Sequence, residues 1–247
     1  MPSFNVLTVN LHMGLSALNR RFVLPELRRA LAAESAEMVF LQEVLGEHAR
    51  HARRHADWPA GSQYEYLADT LWPQYAYGRN AVYPDGHHGN ALLSRFTLVR
   101  WRNRDVSVQG HEQRGLLHAV ASAPGQGGEI HTLCVHLGLR EAHRQRQIGL
   151  MCEILEQEVP ADAPLVVAGD FNDWRARGHR LLRRCGLVDA FEHAHGRLAR
   201  TFPARWPTLP LDRLYVRNAR VESARVLSGR PWSHLSDHLP LLARIAT

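Results

Sequence analysis

The chain is poor in cysteine and has no long apolar run, no linker and no internal repeat. Three cysteines in 247 residues (Cys134, Cys152 and Cys185) are an odd number without C-x-x-C spacing, which argues against a disulfide scaffold and against a structural zinc module. Two of them lie in apolar strand-like or helical surroundings, so the sequence predicts buried thiols in a reducing compartment. No apolar stretch approaches the roughly 20 residues needed to cross a bilayer, and MPSFNVLTVN lacks a basic segment followed by a long apolar one. The expectation is a cytoplasmic protein without a stable membrane anchor. With no low-complexity segment to mark a boundary, residues 1–247 are expected to form one domain. No zinc finger, RNA-binding module or repeated aromatic and basic platform is evident, and no protein partner can be inferred.

What is present is a 45% hydrophobic content, ample for a sizeable core. Lys plus Arg number 30 against 24 Asp plus Glu, every one of the 30 being arginine, with 16 histidines besides. Such a surface suits anionic partners, although a charge excess also serves simple solubility.

Hydrophobic periodicity gives an opening strand–helix–strand rhythm. Phe4–Leu11 and Met38–Val44 read as strands, and Phe22–Glu34 between them reads as an amphipathic helix with Pro25 near its start. Tyr64, Leu67, Ala68 and Leu71 mark a short helix. From Tyr75 to His136 the chain breaks into β-like runs (NALLS, FTLVRW, DVSVQG, GLLHAVAS, EIHTLCVHL) that look antiparallel. Arg140–Glu158 reads as a second long helix with Arg140, Arg144 and Arg146 on its solvated face. It is followed by the strand PLVVAGD and by strands at Asp212–Val216, Arg220–Leu227 and Leu239–Ile245. So many strands with so few helices predict two sheets packed face to face and covered by helices.

Polar residues recur where apolar strands reach loops: Asn10 after FNVLTV, Glu43 after MVFLQ, His136 after HTLCV, Asp170 after PLVVAG, and Asp237 with His238 before the last strand. If those strand ends converge, they assemble carboxylates, carboxamides and imidazoles in one cleft, a set suited to a hard divalent cation with proton transfer beside it.

This ordered set resembles the endonuclease/exonuclease/phosphatase superfamily, which includes DNase I, apurinic endonucleases, inositol-polyphosphate 5-phosphatases, neutral sphingomyelinases and mRNA deadenylases. VNLH, FLQEV, GNALLSR, VHLGL, GDFND, LDRLYV and SDHLPL carry the likeness, in the order that family uses, over essentially the whole chain. The resemblance implies a four-layered α/β sandwich of two mixed sheets, with the cleft across their loop-bearing edge. It implies a Mg²⁺- or Mn²⁺-dependent phosphoesterase in which Asn10, Glu43 and Asp237 hold the metal. Asp170 would position or deprotonate water and Asn172 would bond a phosphate oxygen. His238, oriented by Asp212, would be general base or phosphate clamp, and His136 general acid or transition-state donor. His12, Asn90 and Arg95 would approach substrate, His12 without an assignable role because DNA-repair members carry an acid there.

Each residue also has a plain structural reading: Asn10 as a turn-capping amide, Asp170 and Asn172 as an Asx turn, Asp173 as a cap for the following segment, and His51, His55 and His143 as surface residues. The anionic phosphate-ester substrate stays open between nucleic acid and a lipid headgroup or small metabolite. A non-catalytic binding protein on the same scaffold would lack one of Glu43, Asp170 or His238, and all are present. Three loops mix aromatic with basic or imidazole groups near the expected cleft: residues 83–90, 199–210 and 229–236.

Overall fold

The computed structural model describes residues 2–17, 21–108, 112–123 and 128–247. Two six-stranded sheets lie face to face. The first has the order β11-β12-β1-β2-β4-β3, with β1 Ser3–Asn10, β2 Met38–His48, β3 Gln74–Tyr83, β4 Gly86–Ser94, β11 Arg220–Val226 and β12 Leu241–Ala246. The second has the order β5-β6-β7-β8-β10-β9, with β5 Leu98–Asp105, β6 Gly115–Ser122, β7 Glu129–His136, β8 Leu165–Asp170, β9 Val188–Asp189 and β10 Asp212–Arg217. Both are mixed: β1 runs parallel to β2 and β7 parallel to β8, and the other pairings are antiparallel.

Period-two alternation divides each strand between two apolar layers. Phe4, Phe40 and Leu92 of the first sheet meet Leu117, Cys134, Val166 and Leu214 of the second in the central core. On the outer face of the first sheet, Leu7, Val39 and Leu41 are covered by α1 (Leu24–Glu34) and α3 (Gln63–Ala68). On that of the second, Leu133, Val135 and Val167 are covered by α4 (Glu141–Glu158) and α5 (Arg177–Arg184). The predicted four-layered α/β sandwich is therefore what the chain forms. The helical crossovers matter for function: they return β2 parallel to β1 and β8 parallel to β7, so each pair ends on the same edge of its sheet. Asn10 thus pairs with Gln42, and His136 with Asp170.

Several expectations need correction. Cys152 and Cys185 are not thiols; they form a disulfide with a Cα–Cα separation of 6.2 Å. The packing of α4 against α5 brings together residues 33 apart, a contact that spacing does not reveal. This removes the compositional ground for a reducing compartment. Cys134 is a buried thiol as expected, its pKa pushed by burial to about 12. Arg144 is not on a solvated face but fully buried, donating to the carbonyls of Gly138 and Leu139 and to Glu141. DVSVQG forms no separate strand: Asp105 ends β5, Val106–Val108 is irregular, and the rest lies outside the described residues. Helix α2 (Ala49–Arg54), α6 (Ala190–His195) and α7 (Trp232–Leu235) were not read from the sequence, and neither were α5 and β3 as elements. No described helix is long and apolar enough to cross a membrane.

One buried pair predicts a pH dependence of stability. His118 Nε2 and His131 Nδ1 are 3.0 Å apart on neighbouring strands, and Glu158 of α4 lies 3.4 Å from His118 Nδ1. Burial, with His118, Arg100 and Arg217 adding to it and Glu129 opposing, lowers the His131 pKa to about 4. A histidine depressed below its unfolded value stabilises the fold fully above about pH 6.5 and loses that contribution as pH falls toward 4, because the unfolded chain takes up the proton. Between pH 7 and 5 the melting temperature should fall, with His131 contributing on the order of 1 kcal/mol after solvent screening. An equal fall in His131→Gln would rule this out.

Candidate active site

Asn10 joins the two sheets. Its Nδ2 lies 3.2 Å from both Glu43 Oε1 and Asp170 Oδ2, while its Oδ1 accepts from the His12 amide at 3.0 Å. The turn-capping and site-building readings of this residue thus both hold. A bulge after Leu41 gives Glu43 a φ of +54° and turns its carboxylate toward the cleft. His12 follows on a 3₁₀ turn, with Nδ1 3.3 Å from Asp237 Oδ1 and 3.8 Å from Glu43 Oε2.

On the second sheet, Gly169 precedes Asp170 with φ +145°, and a Cβ there would come within 2.0 Å of the Val135 carbonyl oxygen. Only glycine lets β8 approach β7 so closely. Asp170 Oδ1 accepts from the Asn172 amide at 2.9 Å, closing an Asx turn. Its Oδ2 is left facing Asn10, His136 Nε2 at 3.6 Å and His238 Nε2 at 3.9 Å. Asn172 Nδ2 donates to the Leu137 carbonyl at 3.0 Å, and Asp173 caps the start of α5 by accepting from Arg177, Gly178 and His179.

His238 Nδ1 lies 2.8 Å from Asp212 Oδ2, and the Thr201 hydroxyl donates to that same oxygen. Antiparallel β10 places Asp212 opposite Asp170 in register, and the Ser236 hydroxyl donates to the Asn10 carbonyl while accepting from the His238 amide. Asn10, His12, Glu43, His136, Asp170, Asn172, Asp212, Asp237 and His238 therefore converge on one edge of the sandwich.

Exposure and charge divide this cluster in two. The side chains of Glu43, Asp237 and His12 are 24%, 26% and 18% exposed, whereas those of Asp170 and Asp212 are 2% exposed. Burial opposes charge on His238, but Asp212 and Asp170 outweigh it and raise the imidazole to about 10. Asp170 is raised by burial, with His238 opposing and Asp212 adding. Within this coupled pair the proton resides on His238, which has a carboxylate at each nitrogen. His136 is held well below its ordinary value by burial, by Arg114 and by the histidines 88 and 238, so it is a neutral hydrogen-bonding imidazole.

Two expected substrate contacts lie elsewhere. Asn90 is fully buried between the sheets, its Nδ2 donating to the carbonyls of Gly115 and Cys134. Arg95 is exposed just beyond Ser94, which pairs with Met38 at the start of β2. Because β4 runs antiparallel to β2, the end of GNALLSR travels away from the cleft, about 16 Å from Asn90 at strand rise.

Thr201 and Arg114 were missed by the sequence reading. Arg114, just before β6, donates through Nε to the Leu137 carbonyl that also receives Asn172. Its position directly before an apolar strand on the cleft edge was the available signal. His51 and His55 are half-buried rather than plain surface residues: they stack with Trp58, and Phe22 packs on both Trp58 and His55. Of the three loops, 229–236 tucks Trp232 inside, whereas 199–210 leaves Trp206 79% exposed.

The Endonuclease/Exonuclease/phosphatase family matches this chain over residues 7–238. The chain belongs to that family. Protein YbhP of Escherichia coli K12 is 54% identical over 244 residues, covering 98% of this chain and 96% of its own. Among solved structures, Danio rerio TDP2 complexed with a single-strand DNA product superposes with TM-score 0.72 at 18% identity, covering all of both chains. A mannosyl-6-phosphatase of Bacteroides thetaiotaomicron reaches TM-score 0.72 at 18% identity, over 99% of this chain and 100% of its own. These two structures share the fold of the family; their substrates belong to them. Membership in the endonuclease/exonuclease/phosphatase family makes this chain a hydrolase of phosphoesters.

Proposed function

We propose that this member of the endonuclease/exonuclease/phosphatase family acts over residues 1–247 as a single metal-dependent unit that hydrolyses a phosphodiester. The observation that carries the reading is the buried Thr201–Asp212–His238 chain facing Asp170 beside a separate, solvent-open pair of carboxylates. A binding protein gains nothing from burying two carboxylates and two imidazoles together, whereas proton transfer needs them close and shielded.

Two groups of ligand atoms could hold a cation. Among the described residues, Asp170, Asp212 and His238 offer atoms within 4.8 Å of one another. His238 fits poorly there, because its Nδ1–H is spent on Asp212 and the ring carries the proton. Glu43 and Asp237 fit a hard ion better, as oxygen donors at a mouth open to water, with the buried Asn10 Oδ1, which already accepts from the His12 amide, offering its second lone pair. Mg²⁺ or Mn²⁺ bound by them would neutralise phosphate charge and polarise the ester. The chain's own groups do the rest. Asp170 Oδ2 takes the proton of the attacking water, the His238 imidazolium clamps a phosphate oxygen, and the neutral His136 donates a hydrogen bond on the leaving side. Asn172 keeps a second amide hydrogen for substrate.

With bis(p-nitrophenyl) phosphate, turnover should require Mg²⁺ or Mn²⁺ and stop on chelation; undiminished turnover in excess chelator would refute the proposal. Glu43→Gln should raise the metal concentration giving half-maximal rate by roughly tenfold or more, since it replaces a charged oxygen donor by a neutral one. An unchanged metal titration would move the ion to other ligands.

A further inference from the structure

The cleft mouth carries apolar side chains that the chemistry does not use. Leu139 is 57% exposed, Trp174 39%, Trp206 79% and Leu209 36%. Each lies on a loop that also carries catalytic groups. Leu139 follows His136, Trp174 follows Asn172, and Trp206 with Leu209 sits between Thr201 and Asp212.

These loops are braced against one another. The buried Arg213 guanidinium donates to the carbonyls of Pro210 and Asp173, the Phe171 amide donates to Leu211, and the Leu137 amide donates to Asp170. Trp206 stands on a hairpin closed by the Phe202–Leu209 bridge, and Arg144 packs beneath the Trp174 ring at 4.5 Å. Single exposed apolar side chains are ordinary, but several large ones carried on one braced set of loops mark an interaction surface.

Outside the cleft's own carboxylates, Glu43 and Asp237, the charge around them is mainly positive. From Arg197 to Leu211 the chain has three arginines and no Asp or Glu, and Arg140, Arg175 and Arg205 are all exposed beside the apolar groups. The nearby acids are already engaged: Glu141 accepts from Arg144 and Gln145, and Glu112 accepts from the Leu139 amide. Tryptophan and leucine fringed by arginine match the interface of an anionic bilayer, where the rings enter the headgroup layer and the guanidinium groups meet lipid phosphates.

We propose that the loops bearing Leu139, Trp174, Trp206 and Leu209 form a platform that docks this edge on an anionic phospholipid surface and presents the cleft to a lipid headgroup phosphoester. The docking deepens the phosphoesterase reading and rests on it for the chemistry. The protein lies on the membrane and does not span it.

The test is co-sedimentation with vesicles of phosphatidylcholine alone or with about 30% phosphatidylglycerol, an anionic surface of the kind that attracts basic segments. The wild type should pellet with the anionic vesicles and stay in solution with the neutral ones. Trp206→Ala combined with Leu139→Ser should weaken partitioning by roughly tenfold or more. Arg175→Glu with Arg205→Glu should weaken it by more than about fivefold for each arginine, because reversal exceeds simple loss. All variants should keep wild-type turnover of bis(p-nitrophenyl) phosphate, which shows that they fold. No pelleting by anionic vesicles, equal pelleting by neutral ones, or variants that pellet like the wild type would overturn the platform. Loss of oligothymidylate binding in the same variants, with vesicle binding intact, would overturn it in favour of nucleic acid. Vesicle binding by a wild type that hydrolyses no phosphodiester would instead sink the phosphoesterase reading and leave the docking in place.

Discussion

Asp170→Asn is expected to lower kcat on bis(p-nitrophenyl) phosphate by roughly two to four decades with little change in KM, the usual range for loss of a positioned base. The geometry makes the change selective. An asparagine oxygen can still accept from the Asn172 amide and keep the Asx turn, so the loop survives. What is lost is Oδ2, which faces Asn10, His136 and His238 and is the oxygen placed to receive a proton. Burial raises the Asp170 pKa, so the charged form is disfavoured by the fold itself. Neutralising it should therefore change the melting temperature little, relief of the buried charge offsetting loss of the Asn10 Nδ2 bond, while activity collapses, the pattern of a site held against stability. His238→Ala should reach a similar loss of kcat by removing the imidazolium. Wild-type kcat in either folded variant would reassign the water-activating group; a collapse of melting temperature in Asp170→Asn would instead make Asp170 structural.

Legibility followed the range of the interaction. Apolar runs predicted β1, β2, β6, β7, β8 and β10 because burial on both faces leaves a continuous signal, and the polar residues at the ends of the β1, β2, β7 and β8 runs predicted the cleft. β3 escaped because QYAYGRNAVY is an edge strand with Gly, Arg and Asn in its centre, stabilised by pairing with β4 rather than by its own pattern. Pairings set by packing were also beyond reach. Nothing near Cys152 points to Cys185, and nothing near Arg144 shows that the helix turns it inward to cap the carbonyls of Gly138 and Leu139. Arg95 shows the opposite failure: contiguous with Asn90 in GNALLSR, it is carried off by the direction of β4. Neither residue reaches the open cleft, although the family resemblance implied that both would.

Asp212→Asn is expected to cost roughly two to four decades in kcat, through orientation and charge together. Asp212 Oδ2 accepts from His238 Nδ1 at 2.8 Å and from the Thr201 hydroxyl, and both donors are buried. An amide keeps one oxygen for these bonds but removes the negative charge that holds the imidazolium, and it adds two hydrogens where Asp212 Oδ1 has no partner among the described residues. Thr201→Val should be milder, about tenfold, because His238 then retains the whole carboxylate. The decisive comparison is the double variant. If Asp212 acts only by positioning His238, then Asp212→Asn combined with His238→Ala should be no slower than His238→Ala alone. The low-field proton resonance of the His238 Nδ1–H should also vanish in Asp212→Asn while persisting in Asp170→Asn. Additive losses in the double variant would mean that Asp212 touches the reacting groups directly, and the Asp170–Asp212–His238 cluster would then have to be reconsidered as the place where the cation binds.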